Sequence, residues 1–361
     1  MPAFDAFDQR MMAVALSLAQ RGLGDTWPNP TVGCLIVKDQ VIVGRGVTGS
    51  GGRPHAETEA LKAAGDNARG ATAYVTLEPC SHHGKTPPCA EALVAAGITR
   101  VVAATGDPDP RVSGRGFAKL RDAGIVVVEG VSRAEADRLN AGFFLRVTER
   151  RPLFALKVAG SLDGRIALAD GSSQWITGPQ SRAAAHAIRA RFDAILAGSE
   201  TILKDNPRLN SRMPGYSGRT KIRIALDRRQ RLLPDRDLMN PADGPVWVYH
   251  RKGPSAVVQG VEFTGLDHDD DTFLTSAASE MADSGLTRVL IEGGGTVAAS
   301  FLKADLVDEI YWFSAGMMLG GDGIPAIGRL GLDRLSAAEH FMARDTVVFG
   351  DDRLTILTKK P

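Results

Sequence analysis

Apolar residues recur along this chain in short blocks whose spacing alternates between helical and extended. Near the N terminus, five of them recur at helical spacing and Gly22 and Gly24 follow, which predicts an amphipathic helix. These five are Phe4, Phe7, Met11, Val14 and Leu18. The segment at 31–46, TVGCLIVKDQVIVGRG, predicts a β-hairpin that turns near Lys38–Gln40, with Cys34 as a buried core thiol in its first strand.

Helices and strands alternate from residue 54 to residue 130. The predicted helices are PHAETEALKAAG (54–65), CAEALVAAG (89–97) and GRGFAKLRDAG (114–124), and the predicted strands are ATAYVTLE (71–78), TRVVAAT (99–105) and IVVVEG (125–130). Such alternation is typical of a layered α/β domain with largely parallel central strands.

The pattern restarts after the basic stretch TERRPLF (148–154), so we expect one domain at 1–149 and a second at 150–361. The segment 155–168 predicts a single new strand. Further strands are predicted at 193–198, 221–227, 245–250, 288–294 and 308–314, helices at 181–192, 272–284 and 296–303, and a terminal antiparallel hairpin at 346–360. The second domain is therefore also expected to be α/β.

Composition narrows the class of protein. The chain has 361 residues, and its 43% hydrophobic content suffices for two buried cores. Lys and Arg total 43 against 42 Asp and Glu, so the net charge of +1 gives no support for nucleic-acid binding. No apolar run approaches the roughly 20 residues of a membrane span, and no signal-peptide pattern opens the chain. We expect a cytoplasmic protein without a disulfide framework.

Candidate metal chemistry lies in the first domain. His55, Cys80 and Cys89 could supply one imidazole and two thiolates to zinc and leave one tetrahedral position for water, as in catalytic sites. Cys89 follows two prolines and should open a helix, whose N-terminus favours the thiolate. Glu57 is two residues from His55 and could move protons in a hydrolytic deamination.

The spacing of these residues leaves alternatives open. H-x-E followed by P-C-x-x-C is the signature of zinc nucleobase deaminases, but here eight residues separate the two cysteines. A closed structural zinc with His82 or His83 as fourth ligand would fit the same residues. So would a chance coincidence in an ordinary α/β domain, a deaminase acting on nucleic-acid bases, or a non-catalytic protein with a nucleotide-sensing second domain.

The long spacing resembles a known family. The stretch LEPCSHHGKTPPC (77–89) is similar to the motif of bifunctional riboflavin-biosynthesis deaminase/reductases. Further matching motifs follow in order along the whole chain: PNPTVG (28–33), PHAE (54–57), DPDPRVSGRG (107–116), LKVAGSLDGRIA (156–167), SQWITG (173–178), DAILAGSETIL (193–203) and IEGGG (291–295).

The resemblance implies a fold and site roles for the first domain. The fold would be the three-layer cytidine-deaminase-like α/β fold, with His55, Cys80 and Cys89 as Zn²⁺ ligands and Glu57 as proton shuttle. Asn29 would contact the pyrimidine, and His82 and Lys85 would face the substrate, Lys85 near its phosphate. Thr48 and Asp109 depart from the family pattern, at positions where it has histidine and asparagine.

The second domain carries weaker signals of its own. IEGGGTVAASF (291–301) is a strand, a glycine turn and a helix, and a helix N-terminus behind glycines can hold a phosphate. A second helix N-terminus lies in the segment 177–191, with arginines following. These features suggest a phosphate-bearing ligand without identifying it, and a bare tight turn would explain the glycines equally well.

The resemblance supplies an identity for that ligand, because it implies a dihydrofolate-reductase-like α/β domain that uses NADPH. The implied cofactor contacts are Ala159, Trp175, Thr201, Asp205, Gly293, Gly294, Gly295, Thr296 and Val297. The implied substrate contacts are Ser173, Arg189, Leu209, Arg212 and Glu292. Lys157 and Asp205 would act near the reacting sugar carbon. Arg228 stands where the family often has a small hydroxyl residue, so no cofactor contact is implied for it.

The expected function is therefore bifunctional. The first domain would deaminate 2,5-diamino-6-ribosylamino-4(3H)-pyrimidinone 5′-phosphate, and the second would reduce the ribosyl chain to give 5-amino-6-ribitylaminouracil 5′-phosphate. The partners would be small phosphorylated pyrimidines, without nucleic acid or membrane, and the chain would form a homo-oligomer.

Overall fold

The computed structural model describes residues 4–81, 87–253, 257–267, 269 and 272–360. The chain divides into two compact units, Met1–Arg150 and Arg151–Pro361. The elements of the first unit are α1 (Ala6–Gln20), β1 (Gly33–Lys38), β2 (Val41–Val47), α2 (Ala56–Ala64), β3 (Thr72–Val75), α3 (Cys89–Ala95), β4 (Arg100–Ala103), α4 (Arg115–Asp122), β5 (Val126–Glu129), α5 (Arg133–Leu139) and α6 (Ala141–Glu149).

The first unit is a three-layer α/β domain. Its sheet has the order β2-β1-β3-β4-β5, with β1 antiparallel to both of its neighbours and β3, β4 and β5 parallel. Side chains of α2, α3 and α4 share one core with the sheet, and those of α1 and α5 share the core on its other face. The β1–β2 hairpin turns at Asp39 and Gln40, whose φ angles are +50° and +65°, so the predicted hairpin is confirmed.

The buried face of α1 differs from the prediction. Met12, Ala15, Leu16 and Ala19 are buried, whereas Val14 of the predicted stripe is 37% exposed. The reason is close packing of small residues on the sheet, because a Cβ on Gly33 would lie 2.0 Å from the Ala15 carbonyl oxygen. Bulky residues of the predicted stripe pack along the margin of this contact.

Close packing against strand glycines also positions α2 on the sheet. A Cβ on Gly46 would lie 2.0 Å from the Ala56 carbonyl oxygen, and one on Gly44 would lie 2.2 Å from that of Ala60. Only glycine permits such an approach of helix backbone to strand backbone. The N-terminal turn of α2 is thereby fixed on the sheet.

The described residues of the second unit form the following α-helices and strands. They are β6 (Leu153–Ser161), β7 (Arg165–Ala167), α7 (Pro179–Ala190), β8 (Ala194–Gly198), α8 (Ser199–Asp205), β9 (Ile222–Leu226), β10 (Val246–Arg251), β11 (Val261–Leu266), α9 (Phe273–Asp283), β12 (Arg288–Ile291), α10 (Gly295–Lys303), β13 (Glu309–Ala315), β14 (Ile324–Pro325), β15 (Phe341–Phe349) and β16 (Asp352–Lys359).

Its large sheet has the order β11-β10-β9-β8-β12-β6-β13-β16-β15. The strands from β11 to β13 are parallel, and β16 and β15 add an antiparallel hairpin at one edge. The carboxyl ends of β6, β8, β9 and β12 therefore lie at one edge of the sheet, where ligands bind in open α/β folds. Helix α8 directly follows β8, and α10 follows β12 after three residues.

The single strand predicted at 155–168 is in fact two strands. The chain leaves the large sheet after Ser161, whose hydroxyl donates to Asp163 Oδ1 at 2.5 Å and accepts from Arg165 N at 2.9 Å. Gly164 turns the chain with a φ of +75°. The residues that follow form β7, which pairs with β14 in a separate ladder.

Candidate active sites

Three metal-ligating side chains converge in the first unit. His55 precedes α2, Cys80 follows β3 in a loop, and Cys89 is the first residue of α3. His55 Nδ1 lies 3.2 Å from Cys89 Sγ and 3.6 Å from Cys80 Sγ. All three donor atoms lie within 4.8 Å of one another. The starts of α2 and α3 and the loop after β3 thus bring together three residues that are far apart in the sequence.

This donor set fits zinc. Zinc bonds of 2.0–2.3 Å in tetrahedral geometry place neighbouring donor atoms roughly 3.3–3.8 Å apart, close to the observed separations from His55 Nδ1. One nitrogen and two sulfurs are the ligands that zinc prefers, and three protein ligands leave one position open for chemistry. His55, Cys80 and Cys89 could therefore hold a catalytic zinc ion.

The electrostatics of the triad favour thiolate at Cys80. A hydrogen bond with the Cys89 thiol, together with hydrogen bonds from His55 and the Cys89 amide, lowers the pKa of Cys80 to about 4. The Cys89 amide donates to Cys80 Sγ at 3.3 Å. The same hydrogen bond with Cys80, together with burial, raises the pKa of Cys89.

Glu57 lies in the first turn of α2 with a buried side chain. Burial raises its pKa to about 7, with further raising by Cys80 and an opposing effect of His55. Cys34, in contrast, is fully buried in the core of β1, where burial raises the pKa of its thiol. It lies in the hydrophobic core, as the sequence predicted.

Asn29 contacts the segment that leads to His55. A Cβ on Gly52 would lie 1.9 Å from Asn29 Nδ2, so the asparagine amide packs directly on the Gly52 backbone, where φ is +87°. The structure thus brings Asn29 to the chain segment that carries the histidine ligand. His82 and Lys85, also predicted in this site, lie outside the described residues.

Thr48 and Asp109, which depart from the family pattern, both accept hydrogen bonds in the structure. The buried Thr48 hydroxyl accepts from Val32 N at 2.9 Å. The buried Asp109 carboxylate accepts from Arg111 N and Nε, both at 2.9 Å, and from its Nη2 at 2.5 Å. Both side chains order the loops in which they lie.

Glu78 was missed by the sequence interpretation. Its buried carboxylate accepts from four backbone amides, those of Asp107 at 3.3 Å, Gly114 at 3.0 Å, Gly116 at 2.9 Å and Phe117 at 3.3 Å. It therefore ties the 107–117 segment to the strand end that carries Cys80, two residues later. Its position immediately before P-C was the one available signal.

The second unit has an open cavity of about 800 Å³ at the carboxyl ends of its parallel strands. Predicted residues that line it are Ser173, Thr201, Asp205, Gly294, Gly295, Thr296 and Val297. Gly294 N donates to Thr201 Oγ1 at 3.1 Å, which joins the glycine turn to α8. The N-terminus of α10 opens into the cavity, a suitable place for a phosphate. Size and lining fit a dinucleotide.

The lining of this cavity does not include every predicted cofactor contact. Ala159, Trp175 and Gly293 are not among the residues that line this cavity. Trp175 is 67% exposed, and Arg182 lies over its ring at 4.4 Å from the centroid.

A second cluster gathers the charged residues predicted to hold the substrate. Arg189 Nε and Nη2 donate to the Glu292 carboxylate at 2.5 and 2.8 Å, and Arg189 Nη1 donates to Asn210 O at 2.9 Å. Lys157 Nζ lies 3.7 Å from Glu292 Oε2. Burial alone would raise the pKa of Glu292, but the charges of Arg189 and Lys157 outweigh it and hold the pKa at about 2.

The segment that carries the remaining substrate contacts packs on this cluster through His186. Arg212 N donates to His186 Nδ1 at 3.2 Å, and Ser211 Oγ donates to the His186 carbonyl at 3.0 Å. Leu209 is buried in the core with a φ of +47°. His186 was missed from the sequence, although it precedes Arg189 by one helical turn.

Comparison with known proteins agrees with this geometry. Residues 5–105 match the family model of the cytidine and deoxycytidylate deaminase zinc-binding region, and residues 152–349 match that of the RibD C-terminal domain. The riboflavin biosynthesis protein RibD of Escherichia coli K12 is 42% identical over 358 residues, covering 96% of this chain and 97% of that protein. That of Aquifex aeolicus is 39% identical, with 98% of each covered.

Solved structures of RibD proteins have the same fold as this chain. RibD of Acinetobacter baumannii superposes with a TM-score of 0.89 at 38% identity, covering 98% of this chain and 99% of that one. A diaminohydroxyphosphoribosylaminopyrimidine deaminase/5-amino-6-(5-phosphoribosylamino)uracil reductase from Thermotoga maritima also gives a TM-score of 0.89, at 35% identity and with the same coverage.

Fold and sites together define a zinc-binding deaminase domain joined in one chain to an NADPH-dependent reductase domain. The chain belongs to the RibD family, the bifunctional deaminase/reductases of riboflavin biosynthesis. The predicted family, fold class, activities and cofactors are thereby confirmed. No helix among the described residues is long and apolar enough to cross a membrane.

Proposed function

We propose that the first unit removes the 2-amino group of 2,5-diamino-6-ribosylamino-4(3H)-pyrimidinone 5′-phosphate as ammonia, and that the second unit then reduces the ribosyl chain of the product. The substrates named for the Thermotoga maritima relative support this assignment. The observation that carries it is the convergence of His55, Cys80 and Cys89 within 4.8 Å, beside the buried Glu57.

In the deaminase site, His55, Cys80 and Cys89 would hold the metal. Zinc, when bound, supplies a Lewis acid that lets water act as a nucleophile at neutral pH. Glu57 would take a proton from water and deliver it to the departing nitrogen, as a general base and then a general acid. Its burial keeps bulk water from competing for that proton.

Substrate contacts in this unit would come from the loops around the triad. Asn29, held against Gly52, would donate and accept hydrogen bonds at the pyrimidine edge. His82 and Lys85 are assigned to the substrate by family resemblance, Lys85 as the cation for its phosphate.

In the reductase unit, Thr201, Asp205 and the glycine turn at 293–297 would hold the cofactor, with Ala159 and Trp175 assigned to it by resemblance. NADPH, when bound, supplies the hydride for C1′ of the opened sugar. Lys157 and Asp205 would exchange the proton that opening of the sugar ring requires.

The charged cluster would hold the substrate phosphate and ribose. Arg189 directs three of its five N–H groups to Glu292 and Asn210, and its Nη1 also lies 3.5 Å from His186 Nδ1, so one N–H group remains for a ligand. Glu292 is then an acceptor for sugar hydroxyls, and Ser173, Leu209 and Arg212 complete the proposed site. Holding Arg189 on Glu292 fixes the guanidinium before the substrate arrives.

We also propose that the enzyme is a cytoplasmic homo-oligomer that binds no nucleic acid. All three cysteines are free, and the two thiolate ligands need a reducing compartment. The nine-residue strand β15 lies at an edge of the large sheet with Met342 and Val348 exposed, and such an edge can pair with another copy.

The test supplies the full-length protein with the diaminopyrimidine phosphate, with and without NADPH, and follows ammonia release and NADPH loss separately. We expect ammonia without NADPH, and NADPH loss only on the deaminated product. Cys80→Ser should lose zinc and ammonia release yet still reduce the deaminated product. Asp205→Asn should do the reverse, and Cys34→Ala should keep zinc because its thiol lies in the core.

Two results would contradict the proposal. Metal-free protein that still releases ammonia would exclude zinc chemistry at the triad. NADPH loss on the diamino compound, before any ammonia appears, would reverse the order of the two reactions.

A further inference from the structure

Residues 208–212, the substrate segment, carry two of the proposed substrate contacts, Leu209 and Arg212. Leu209 is buried, and its φ of +47° lies in the left-handed region of the backbone. A side chain with a Cβ makes this conformation unfavourable, so it persists only where the surrounding structure holds it. Contacts on either side of Leu209 therefore decide whether the substrate segment keeps its shape.

Asp243 supplies contacts on both sides of Leu209. Arg208 Nε donates to Asp243 Oδ2 at 2.7 Å, and Arg208 Nη2 donates to Asp243 Oδ1 at 2.6 Å. Asn210 Nδ2 donates to Asp243 Oδ1 at 3.1 Å. One carboxylate thus accepts from the residue before Leu209 and from the residue after it. The hydrogen bond with Arg208 lowers the pKa of Asp243, so this carboxylate is ionised at neutral pH.

The turn that carries Asp243 is itself held by a buried arginine. Arg223 on β9 is 0% exposed, and its Nη2 donates to Asn240 O at 2.6 Å and to Gly244 O at 2.5 Å. These two carbonyl groups flank the turn Pro241–Asp243. Because both ends of the turn are bonded to a buried strand, the carboxylate is presented by a fixed backbone.

The substrate segment also contacts the charged cluster. Arg189 Nη1 donates to Asn210 O at 2.9 Å, and Arg189 Nε donates to Glu292 Oε1 at 2.5 Å. Asn210 therefore joins Asp243, which its side-chain amide contacts, to Arg189, which its carbonyl oxygen contacts. A shift of this segment would displace Leu209 and also remove an acceptor that orients the Arg189 guanidinium.

We propose that Asp243 is a positioning residue of the reductase site, which holds the substrate segment in the shape that binds the phosphorylated pyrimidine. This inference rests on the proposed substrate contacts of the segment and of Arg189. Asp243, Arg208 and Asn210 do not line the cavity assigned to the cofactor. The effect of Asp243 should therefore be on the substrate and not on NADPH.

The test measures reduction of the deaminated pyrimidine phosphate by the full-length protein at saturating NADPH. Arg208→Gln and Asp243→Asn should each raise KM at least about ten-fold, because a displacement of about 1 Å in a binding site can cost 10²-fold. The value of kcat should change less than about three-fold. The double variant R208Q/D243N should raise KM no further than Asp243→Asn does, since both changes act through one contact.

Arg208→Gln keeps the test independent of folding. Burial lowers the pKa of Arg223 and the charge of Asp243 opposes that effect, so Asp243→Asn removes a charge that supports a buried arginine. Arg208 is 49% exposed, and its replacement leaves that charge in place. Thermal unfolding checks the fold of each variant, and isothermal titration calorimetry should give wild-type NADPH affinity. Asp235→Asn, the same change at a carboxylate that is 77% exposed, is the matched control and should keep KM.

Unchanged KM in either Arg208→Gln or Asp243→Asn would overturn the proposal. A lower kcat with unchanged KM would overturn it as well, because a merely structural role reduces the amount of folded enzyme without changing its affinity. Weaker NADPH binding in the folded variants would show that the effect is not confined to the substrate, and the positioning role would fall. Wild type that does not reduce the deaminated compound would refute the proposed function, and this inference with it.

Discussion

Glu57 is the side chain to which the deaminase proposal gives the proton transfers. It is buried within the first turn of α2, next to the histidine of the triad. An amide at this position keeps the shape of the side chain but cannot accept a proton. Metal binding and proton transfer can therefore be separated at one residue.

We expect Glu57→Gln to lower ammonia release by about 10²–10⁴-fold, the usual contribution of general acid–base catalysis. Zinc content and NADPH-dependent reduction should stay at the wild-type level. Ammonia assays, metal analysis and NADPH absorbance measure the three quantities. Glu59→Gln on the same helix is the control, and a Glu57→Gln protein that still deaminates would remove the proton-shuttle role.

Glu292 links the charged cluster to acid stability. The charges of Arg189 and Lys157 overcome the effect of burial and hold its pKa at about 2, below the ordinary 4.5. A carboxyl group whose pKa is lowered on folding stabilises the fold above its unfolded pKa and loses that contribution as the pH falls. The window here is from pH 4.5 down to about pH 2.

At pH 7 we expect Glu292→Gln to lower the free energy of unfolding of the second unit by about 3–5 kcal/mol, because Arg189 keeps a buried charge without its partner. The difference from wild type should shrink as the pH falls below 4.5. Urea unfolding followed by tryptophan fluorescence measures it, with the exposed Glu262→Gln as control. A difference that does not change with pH would contradict the ion-pair explanation.

At the scale of elements, the start of α4 is packed on the metal loop. A Cβ on Gly116 would lie 2.0 Å from the Pro79 carbonyl oxygen, one residue before Cys80. Because the obstacle is backbone, the loop or the helix must move to admit a side chain. The contact complements the hydrogen bonds of Glu78 to the same segment.

Gly116→Ala should therefore weaken zinc binding at least about ten-fold and destabilise the first unit by about 1–3 kcal/mol, as expected for overpacking. Competition with a chromophoric chelator measures the zinc affinity. Gly106→Ala is the matched control, since its added Cβ would meet Glu78 Oε2 at an ordinary 3.6 Å. Equal zinc affinity in the two variants would show that the position of α4 has no influence on the triad.

The sequence predicted most of the regular elements, because strand and helix periods alternate clearly. It did not predict α5, α6, α8, β11 or β14, which all have nine residues or fewer. The buried stripe of α1 differs from the predicted one, because Met12, Ala15, Leu16 and Ala19 face the sheet and Val14 does not.

The donor residues of the metal site could be predicted from local motifs, since His55, Cys80 and Cys89 each belong to one. Glu78 could not, because its four backbone partners lie 29 to 39 residues away in the sequence.

At the scale of the whole molecule, the two units have separate ligands. A ligand that binds only the native state stabilises the unit that holds it, by about 2.7 kcal/mol at a concentration of 100 Kd. We expect NADPH to raise the unfolding temperature of the second unit, and chelation of zinc to lower that of the first. Differential scanning calorimetry measures both. A shift of the first unit alone on adding NADPH would contradict the assignment of the cofactor.

The position of β6 has a consequence for synthesis on the ribosome. It is the first strand of the second unit, yet its two neighbours in the sheet are β12 and β13, and Leu153 pairs with Arg288, 135 residues later (288 − 153). At roughly 5–20 residues per second, the ribosome needs about 7–27 s to make that interval. During this time the apolar strand β6 has been made, but its partners β12 and β13 have not. The nascent reductase unit should therefore depend on chaperones that cover exposed strands. Slowing of translation before β12 should increase aggregation of this unit.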